Sequence, residues 1–364
     1  MSHAPLISVI IPTYNRLDYL KEAIASVVSQ TYTNLEIIVS DDCSAESPAS
    51  LVDSFQDNRL RLRRNSKNAG IGLNSTYAFA EATGKYVASL NDDDQWDKNF
   101  LERLVRPLED NSELVLAFCD YYVMDDNSNI NWIATEKQTK KEKRHLLNEG
   151  IYQPFWKIGL VDQAVFTASA SLIRRDAVCW EKLFQAGVFW DYYIAYLACR
   201  SGQGAYYCAE RLAHYRIHAQ SENMVSGNRN IQAKIRKGKA ATFCYQQFMD
   251  DDNLQEHRSY FQHEWVHAST TLGIGFLRMG QIAKARFYLR QALAQQKLNL
   301  RTLVALTASY LPQSMAYSLA HMRNPGLFTR LRLGGLLCIL WREKLAKLSE
   351  TNRPLFPRAR RIAR

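Results

Sequence analysis

Hydrophobic residues in the first third of the chain form short continuous runs that alternate with segments of helical spacing. The runs at 6–11, 35–39 and 85–90 are rich in aliphatic residues, as expected of strands buried on both faces of a sheet. Further strand and helix patterns occupy 59–64 and 72–82. One helical face lies between the first two runs and consists of Leu17, Leu20, Ile24, Val27 and Val28. This alternation predicts right-handed βαβ units, and therefore an α/β fold with a mostly parallel sheet flanked by helices.

The pattern changes after residue 110. Residues 114–124 have the composition of another strand, and the charge run at 136–144 is typical of a mobile surface loop. From about residue 231 the chain has helical character, and 267–293 is spaced like one tetratricopeptide helical hairpin. We therefore predict an α/β domain over 1–225 with halves 1–110 and 111–225, a helical extension over 226–322, and a basic amphipathic tail over 323–364.

The formal net charge of +10, taken alone, suggests a nucleic-acid-binding protein. Most of this charge lies in the tail, where residues 323–364 include eleven Lys or Arg and two Glu. No motif typical of nucleic-acid binding accompanies it, so we expect no nucleic-acid partner. Leucines alternate with the basic residues, which suits a helix lying on an anionic membrane surface. Packing of the tail against the protein body is the alternative.

Cysteine usage and hydropathy bear on the compartment. The seven cysteines include no C-x-x-C pair, which argues against a disulfide framework or a thiolate zinc site and favours a reducing, cytoplasmic environment. The N-terminal apolar run is too short for a signal peptide. Residues 302–322 lack Lys, Arg, Asp and Glu, but Pro312 and repeated Ser and Thr favour a packed pair of helices over a membrane span.

Acidic residues follow two of the predicted strands. Asp41 and Asp42 come just after 35–39, and the sequence Asn-Asp-Asp-Asp at 91–94 comes just after 85–90. Ligands of open α/β sheets bind at the carboxyl ends of the strands. Carboxylates at that edge suit Mg²⁺ or Mn²⁺ bound to a diphosphate. The alternative is that one of these acids caps the helix predicted to begin near Trp96.

Five sequence patterns occur in a fixed order at ordinary spacings. They are SVIIPTYNR at 8–16, IIVSDDCS at 37–44, NAG at 68–70, ATGKY at 82–86 and LNDDD at 90–94. This series closely resembles the nucleotide-sugar-binding half of family 2 glycosyltransferases, which have the GT-A fold. The resemblance extends over roughly residues 5–220, and the combined order is far more specific than any one pattern.

The resemblance implies roles for individual residues. Asp41 matches the acid that hydrogen-bonds the base, and a carboxylate can accept from the N3–H of uracil. Asp93 matches the metal ligand of the family's D-x-D motif, in which Asn91 replaces the usual first Asp and lowers the negative charge around the cation. The residues implied in nucleotide-sugar binding are Pro12, Tyr14, Asp41, Asp42, Asn68, Gly70, Asn91 and Asp92.

The acceptor side is expected near residues 189–193. The family usually has an acidic pair there, whereas this chain has Trp190 followed by Asp191, so Asp191 is the single candidate for the catalytic base. A helix N-cap is the alternative role for Asp191. The segment Tyr-Arg-Ile-His at 215–218 resembles one in which the His approaches the metal or diphosphate. We therefore expect His218 as a second metal ligand, with a structural histidine as the alternative.

The implied activity is inverting transfer of a sugar from a nucleoside-diphosphate sugar, with UDP favoured, to a saccharide or lipid-linked saccharide. Mn²⁺ or Mg²⁺ is the implied cofactor. The implied setting is synthesis of bacterial surface polysaccharides such as lipopolysaccharide or capsule, in the cytoplasm or at the cytoplasmic face of the inner membrane. Asn91 and Trp190 leave one alternative open, a non-catalytic subunit that binds sugar nucleotides.

Overall fold

The computed structural model describes residues 4–180, 182–219 and 230–311. Within these ranges the strands form one mixed sheet, ordered β3-β2-β1-β4-β8-β6-β9-β5, with β7 paired to β9. The strands are β1 (Ile7–Thr13), β2 (Leu35–Asp41), β3 (Leu60–Arg64), β4 (Tyr86–Ser89), β5 (Gln95–Trp96), β6 (Leu114–Met124), β7 (Gly150–Tyr152), β8 (Ser171–Arg174) and β9 (Gly204–Arg216).

Helices cover the sheet and continue beyond it. Six accompany the strands: α1 (Leu17–Val28), α2 (Ala49–Ser54), α3 (Ile71–Ala80), α4 (Phe100–Asp110), α5 (Trp132–Lys141) and α6 (Trp190–Cys199). Four follow in the extension: α7 (Ile231–Met249), α8 (Arg258–Arg278), α9 (Ile282–Gln295) and α10 (Leu300–Ala308). The predicted fold class, an α/β sheet flanked by helices with a C-terminal helical extension, is confirmed.

Burial on both faces explains the continuous apolar runs of the central strands. Every residue of β1 is buried, and β1 pairs in parallel with β2 on one side and β4 on the other. A central parallel strand has no solvent face, so its composition does not alternate. Because β1, β2 and β4 run in the same direction, the loops after all three emerge at one edge of the sheet.

The charge run at 136–144 is not a mobile loop, and that prediction is wrong. Residues up to Lys141 belong to α5, and the Arg144 side chain is buried beneath it. The Arg144 guanidinium donates to Asp120 Oδ1 at 2.7 Å and lies over the Tyr121 ring. Charged residues alternate with Thr135 and Thr139, whose side chains are buried, so the run forms an amphipathic helix with a small polar inner face.

The helical extension packs on itself and on the sheet domain. Gly273 of α8 lies so close to α9 that an added Cβ would meet Leu289 at 2.6 Å. Helix α7 packs against the segment Leu183–Phe189, which in turn contacts α3. Among the described residues, no helix combines the length and apolar character needed to cross a bilayer. The second half of the uncharged stretch 302–322 and the whole tail lie outside the described residues.

Candidate active site

A cavity of about 1170 Å³ opens at the carboxyl edge of the sheet. Its walls come from the loops after β1 and β4, the N-terminal end of α3, the start of α6 and one side of α7. Nine of the eleven residues predicted for the site line it: Pro12, Tyr14, Asp42, Asn68, Gly70, Asn91, Asp92, Asp93 and Asp191. Loops remote in sequence therefore meet at one place, as expected for a ligand site of an α/β sheet.

Arg16 joins the loop after β1 to the loop after β4. Its Nη1 donates to Asp92 Oδ1 at 3.1 Å and to Asp93 Oδ2 at 2.7 Å. Asn15 has a left-handed backbone (φ 56°), a conformation that Asn tolerates better than most residues, and this turn precedes α1. Sequence reasoning assigned no role to Arg16, although the residue lies within the PTYNR pattern.

Asp92 is held by the end of β1. Its Oδ2 accepts from Thr13 Oγ1 at 2.8 Å and from the Tyr14 backbone N–H at 3.3 Å. Burial and the neighbouring Asp93 carboxylate raise the pKa of Asp92 to about 6, and Arg16 opposes this effect. The carboxylate is therefore fixed in position at the cavity wall.

Asp93 and His218, the two predicted metal ligands, lie together. Asp93 Oδ2 is 3.0 Å from His218 Nε2, and both residues are buried. The described residues contain no cluster of three or more His, Cys, Asp or Glu placed to hold a metal. Asp93 nevertheless offers a carboxylate, the ligand type that Mg²⁺ and Mn²⁺ prefer, and such ions often take one or two protein ligands and complete their shell with phosphate oxygens and water. The Arg16 guanidinium against Asp93 shows that this position already favours a positive charge.

Buried hydrogen bonds hold the acidic loop in place from behind. Arg216, which is fully buried, donates from Nε to the Asp93 carbonyl at 2.7 Å and from Nη2 to Glu22 Oε2 at 2.6 Å. Asp94 accepts from the Arg216 backbone N–H at 2.9 Å and from Ser169 Oγ at 2.5 Å. Burial and the charge of Asp93 raise the pKa of Asp94 to about 8. Asp94 is thus a structural residue of the loop, a role that its place in an acidic run does not reveal.

The two adjacent acids at the end of β2 have different positions, and the role predicted for Asp41 stays a prediction. Asp41 is fully buried and is not among the residues that line the cavity, because its carboxylate accepts from the Ser44 backbone N–H. Asp42 does line the cavity, and its oxygens accept from the Ala69 and Gly70 backbone N–H groups at 2.7 Å each. Of these two acids, Asp42 is therefore the one that faces the cavity.

Asp191 lies in the first turn of α6, one residue after Trp190. The N-cap of this helix is Phe189, so Asp191 does not cap it. Likewise, Asn99 precedes α4, and none of the acids at 92–94 is an N-cap. Burial raises the pKa of Asp191 to about 6, and the charge of Lys237 partly offsets this. The Trp190 side chain is buried, and it brings no second carboxylate to this position.

Residues 8–178 match the protein family described as "Glycosyl transferase family 2". This segment belongs to glycosyl transferase family 2. The family predicted from the five ordered patterns is thereby confirmed, and the matched segment contains β1, β2 and β4 and the acidic loop that borders the cavity.

Curated relatives of this chain are glycosyltransferases, among them proteins of Rickettsia prowazekii and Methanocaldococcus jannaschii. An uncharacterized glycosyltransferase of Rickettsia prowazekii is 30% identical over 207 residues, covering 52% of this chain and 62% of the relative. The UDP-Glc:alpha-D-GlcNAc-diphosphoundecaprenol beta-1,3-glucosyltransferase WfgD of Escherichia coli is 32% identical over 135 residues, covering 37% of this chain and 53% of the relative. The alignments span 62%, 56% and 48% of the lengths of the first three curated relatives, less than two thirds in each case.

Solved structures share the fold at low sequence identity. TarS of S. aureus, residues 1–349 in complex with UDP-GlcNAc, superposes with a TM-score of 0.57 at 15% identity and covers 86% of this chain and 90% of that one. The mannosyltransferase PcManGT from Pyrobaculum calidifontis, in complex with GDP-Man and Mn²⁺, gives a TM-score of 0.50 at 16% identity and covers 88% and 85%. These likenesses extend through the helical region as well as the sheet.

Proposed function

We propose that this protein is an inverting glycosyltransferase that moves a sugar from a nucleoside-diphosphate sugar, with UDP favoured, to a saccharide or lipid-linked saccharide. Family membership supports the reaction class. The observation that carries the proposal is the cavity itself, which brings Asp92 and Asp93 into one space with Asp191. The acids at the strand end suit a metal-bound diphosphate, and the acid on α6 suits a base, so one cavity contains groups for both substrates.

The donor would lie along the sheet edge. Pro12 and Tyr14 would flank the nucleoside, and Asp42 retains a lone pair on Oδ2 with which to accept from a base N–H. Asn68 and Gly70 precede α3, whose N-terminal backbone N–H groups favour an anion. Asn91 donates its amide to Asp94, which leaves its carbonyl oxygen for the ribose or the cation. A divalent cation held by Asp93 and His218 would neutralise the charge of the leaving diphosphate.

Asp191 would act as the general base. It would take the proton from the acceptor hydroxyl while that oxygen attacks the anomeric carbon, and the nucleoside diphosphate would leave from the opposite face, which inverts the configuration. A pKa of about 6 keeps the carboxylate mostly ionised at neutral pH while making it a stronger base than an ordinary Asp.

The names of two relatives support the wider setting of the proposal. The acceptor printed in the name of WfgD is a saccharide on a lipid diphosphate, and another relative is a putative teichuronic acid biosynthesis glycosyltransferase of Bacillus subtilis. We therefore place this protein in bacterial surface polysaccharide synthesis, such as lipopolysaccharide or capsule. In this proposal, residues 1–225 are the catalytic domain, 226–322 a helical extension, and 323–364 a segment that attaches to an anionic cytoplasmic membrane face.

The second candidate is a subunit that binds sugar nucleotides without catalysis. One observation favours it: the buried Trp190 stands where the family usually has the first member of an acidic pair. The two candidates differ in a single respect, which is whether Asp191 alone suffices as the base.

Thermal shift against a panel of sugar nucleotides, with and without Mn²⁺, tests the donor part of the proposal. A ligand that binds only the folded protein raises the melting temperature, by an amount that grows with its concentration relative to the dissociation constant. We expect one nucleotide sugar to stabilise the protein, more strongly with Mn²⁺, and D191N to retain this stabilisation. An unchanged melting temperature with every nucleotide would overturn both candidates.

A further inference from the structure

Helix α7 supplies a basic wall to the cavity. Arg236, Lys237 and Lys239 all line it, although they belong to the helical extension and not to the strand ends. Lys237 is near enough to Asp191 for its charge to favour the ionised carboxylate. Among the described residues, neither Lys237 nor Lys239 takes part in an ion pair. This wall therefore carries positive charge on the acceptor side, beside the proposed base.

Packing fixes the direction in which these lysines point. Gly238, between them, faces α8, where an added Cβ would meet the Leu272 side chain at 3.1 Å. Two residues on either side of a buried helical position diverge by about 100° each. The side chains of Lys237 and Lys239 therefore leave α7 in different directions, one on each side of the surface that packs against α8. Lys234, on the same helix, lies near Arg278 and Arg301 and is not among the cavity residues.

Lys239 also lines a second groove, of about 460 Å³, formed by α8 and α9. The other residues of this groove are Phe276, Ala283, Lys284, Phe287 and Tyr288. Phe287 is 56% exposed, and Lys284 Nζ lies 5.7 Å from the centre of the Phe276 ring. Aromatic side chains and two lysines, Lys239 and Lys284, thus line the groove, and Lys239 also lines the larger cavity.

We propose that this junction binds an acceptor lipid that carries a phosphate or diphosphate head. This inference rests on the proposed function. Lys239, which lines both spaces, would hold the phosphate, the hydrocarbon chain would lie along Phe287 in the groove, and the attached saccharide would extend past Lys237 towards Asp191. Cations between a catalytic cavity and an exposed aromatic groove match the chemistry of an amphiphile with an anionic head. The donor diphosphate has its own place at Asp93, on a wall built by different elements.

Binding of farnesyl diphosphate to the full-length protein, measured by calorimetry, tests this inference. Saturating UDP and Mn²⁺ are present in every titration, so that the donor site is filled. Inorganic diphosphate and farnesol serve as parallel probes, because each has one half of the proposed ligand. The variants are K237Q/K239Q, F287A and the matched control K234Q, which removes the same charge from α7 at a position outside the cavity.

We expect farnesyl diphosphate to bind in the presence of UDP. K237Q/K239Q should weaken this binding about tenfold, because neither glutamine can form an ion pair with the phosphate. F287A should weaken the binding of farnesyl diphosphate about fivefold and leave the binding of inorganic diphosphate unchanged. K234Q should bind like the wild type. Melting temperatures within a few degrees of the wild type would show that the variants are folded.

Three results would overturn the inference. One is equal affinity of the wild type and K237Q/K239Q for farnesyl diphosphate. Another is that inorganic diphosphate and farnesyl diphosphate bind with equal affinity and that F287A changes neither affinity. This result would indicate that the ligand is a free phosphate. The third is the absence of farnesyl diphosphate binding to the wild type when UDP and Mn²⁺ fill the donor site. Failure of the proposed function has a different signature, namely the absence of UDP binding in the same calorimeter.

Discussion

Replacing Asp191 with Asn should stabilise the folded protein while it abolishes transfer. Burial raises the pKa of this carboxyl to about 6 from its ordinary value of 3.8. Since one pKa unit corresponds to about 1.4 kcal/mol, keeping Asp191 ionised inside the folded protein at pH 7 costs about 3 kcal/mol. Asn occupies nearly the same volume and has no charge to bury. D191N should therefore raise the free energy of unfolding by up to that amount.

The gain in stability of D191N over the wild type should increase as the pH rises. Because the pKa of Asp191 is higher in the folded than in the unfolded state, the folded state binds the proton more tightly, and stability from this group is lost as pH rises. The free-energy cost of keeping Asp191 ionised in the folded protein is absent below about pH 3.8 and complete above about pH 6. The advantage of D191N over the wild type is therefore largest near neutral pH and small near pH 4.

Urea denaturation followed by tryptophan fluorescence, at several pH values between about 4 and 7, measures this difference. D53N is a suitable control, because Asp53 lies exposed on α2 and its replacement should have little effect at any pH. A D191N variant no more stable than the wild type at neutral pH would refute the burial argument. In the same preparations, loss of a general base should lower the transfer rate by about 100-fold or more.

Three further predictions concern the parts that hold the site together. R216M should lower the free energy of unfolding by about 3–5 kcal/mol, since the buried guanidinium holds both the acidic loop and Glu22; urea denaturation measures this. H218A should weaken Mn²⁺ binding in the presence of UDP by about tenfold or more, measured by electron paramagnetic resonance. G72A should cost about 1–3 kcal/mol by urea denaturation, because its Cβ would lie 2.9 Å from Gly187 Cα.

Each of these predictions has a contradicting outcome. Wild-type stability of R216M would mean that the buried hydrogen bonds of Arg216 contribute nothing net. Unchanged Mn²⁺ affinity in H218A, with the fold intact by circular dichroism, would leave His218 a structural partner of Asp93. Neutral behaviour of G72A would show that the backbone near Gly187 moves away at little cost.

Local pattern was enough to predict the sheet and its functional edge. The apolar runs that form β1, β2 and β4 have no solvent face, so composition alone identifies them as central strands. Their carboxyl ends had to share one edge once they were parallel, which is why predicted residues as distant as Pro12, Asp42 and Asp93 meet at one cavity. The family patterns then supplied the chemistry.

Interactions between distant segments were beyond the reach of the sequence. Asp41 and Asp42 are adjacent and chemically identical, yet the buried Asp41 carboxylate accepts from the Ser44 backbone N–H, whereas Asp42 lines the cavity and accepts from the Gly70 backbone N–H. Arg16 gained its role from pairing with acids about 76 positions away. The charge run at 136–144 has the composition of a loop. The ion pair that buries Arg144 is made with Asp120 on β6, and the composition of the run does not reveal it.

The basic wall of α7 illustrates a third limit. The pattern KIRKGK at 234–239 is an ordinary feature of a solvated helix. Its meaning depends on which side of the helix packs against α8, and that is set by Gly238 and Leu272. Sequence reasoning had no means to see that two of these lysines border the catalytic cavity.

The most direct test of the central claim is transfer of radiolabelled sugar from a nucleoside-diphosphate donor to an acceptor in a bacterial membrane lipid extract, with Mn²⁺. The wild type should incorporate label from one donor with inversion at the anomeric carbon, which NMR of the released product determines. D191N should bind the same donor and incorporate almost none. Transfer by D191N at the wild-type rate, or a product with retained configuration, would contradict the proposed role of Asp191 and the inverting mechanism.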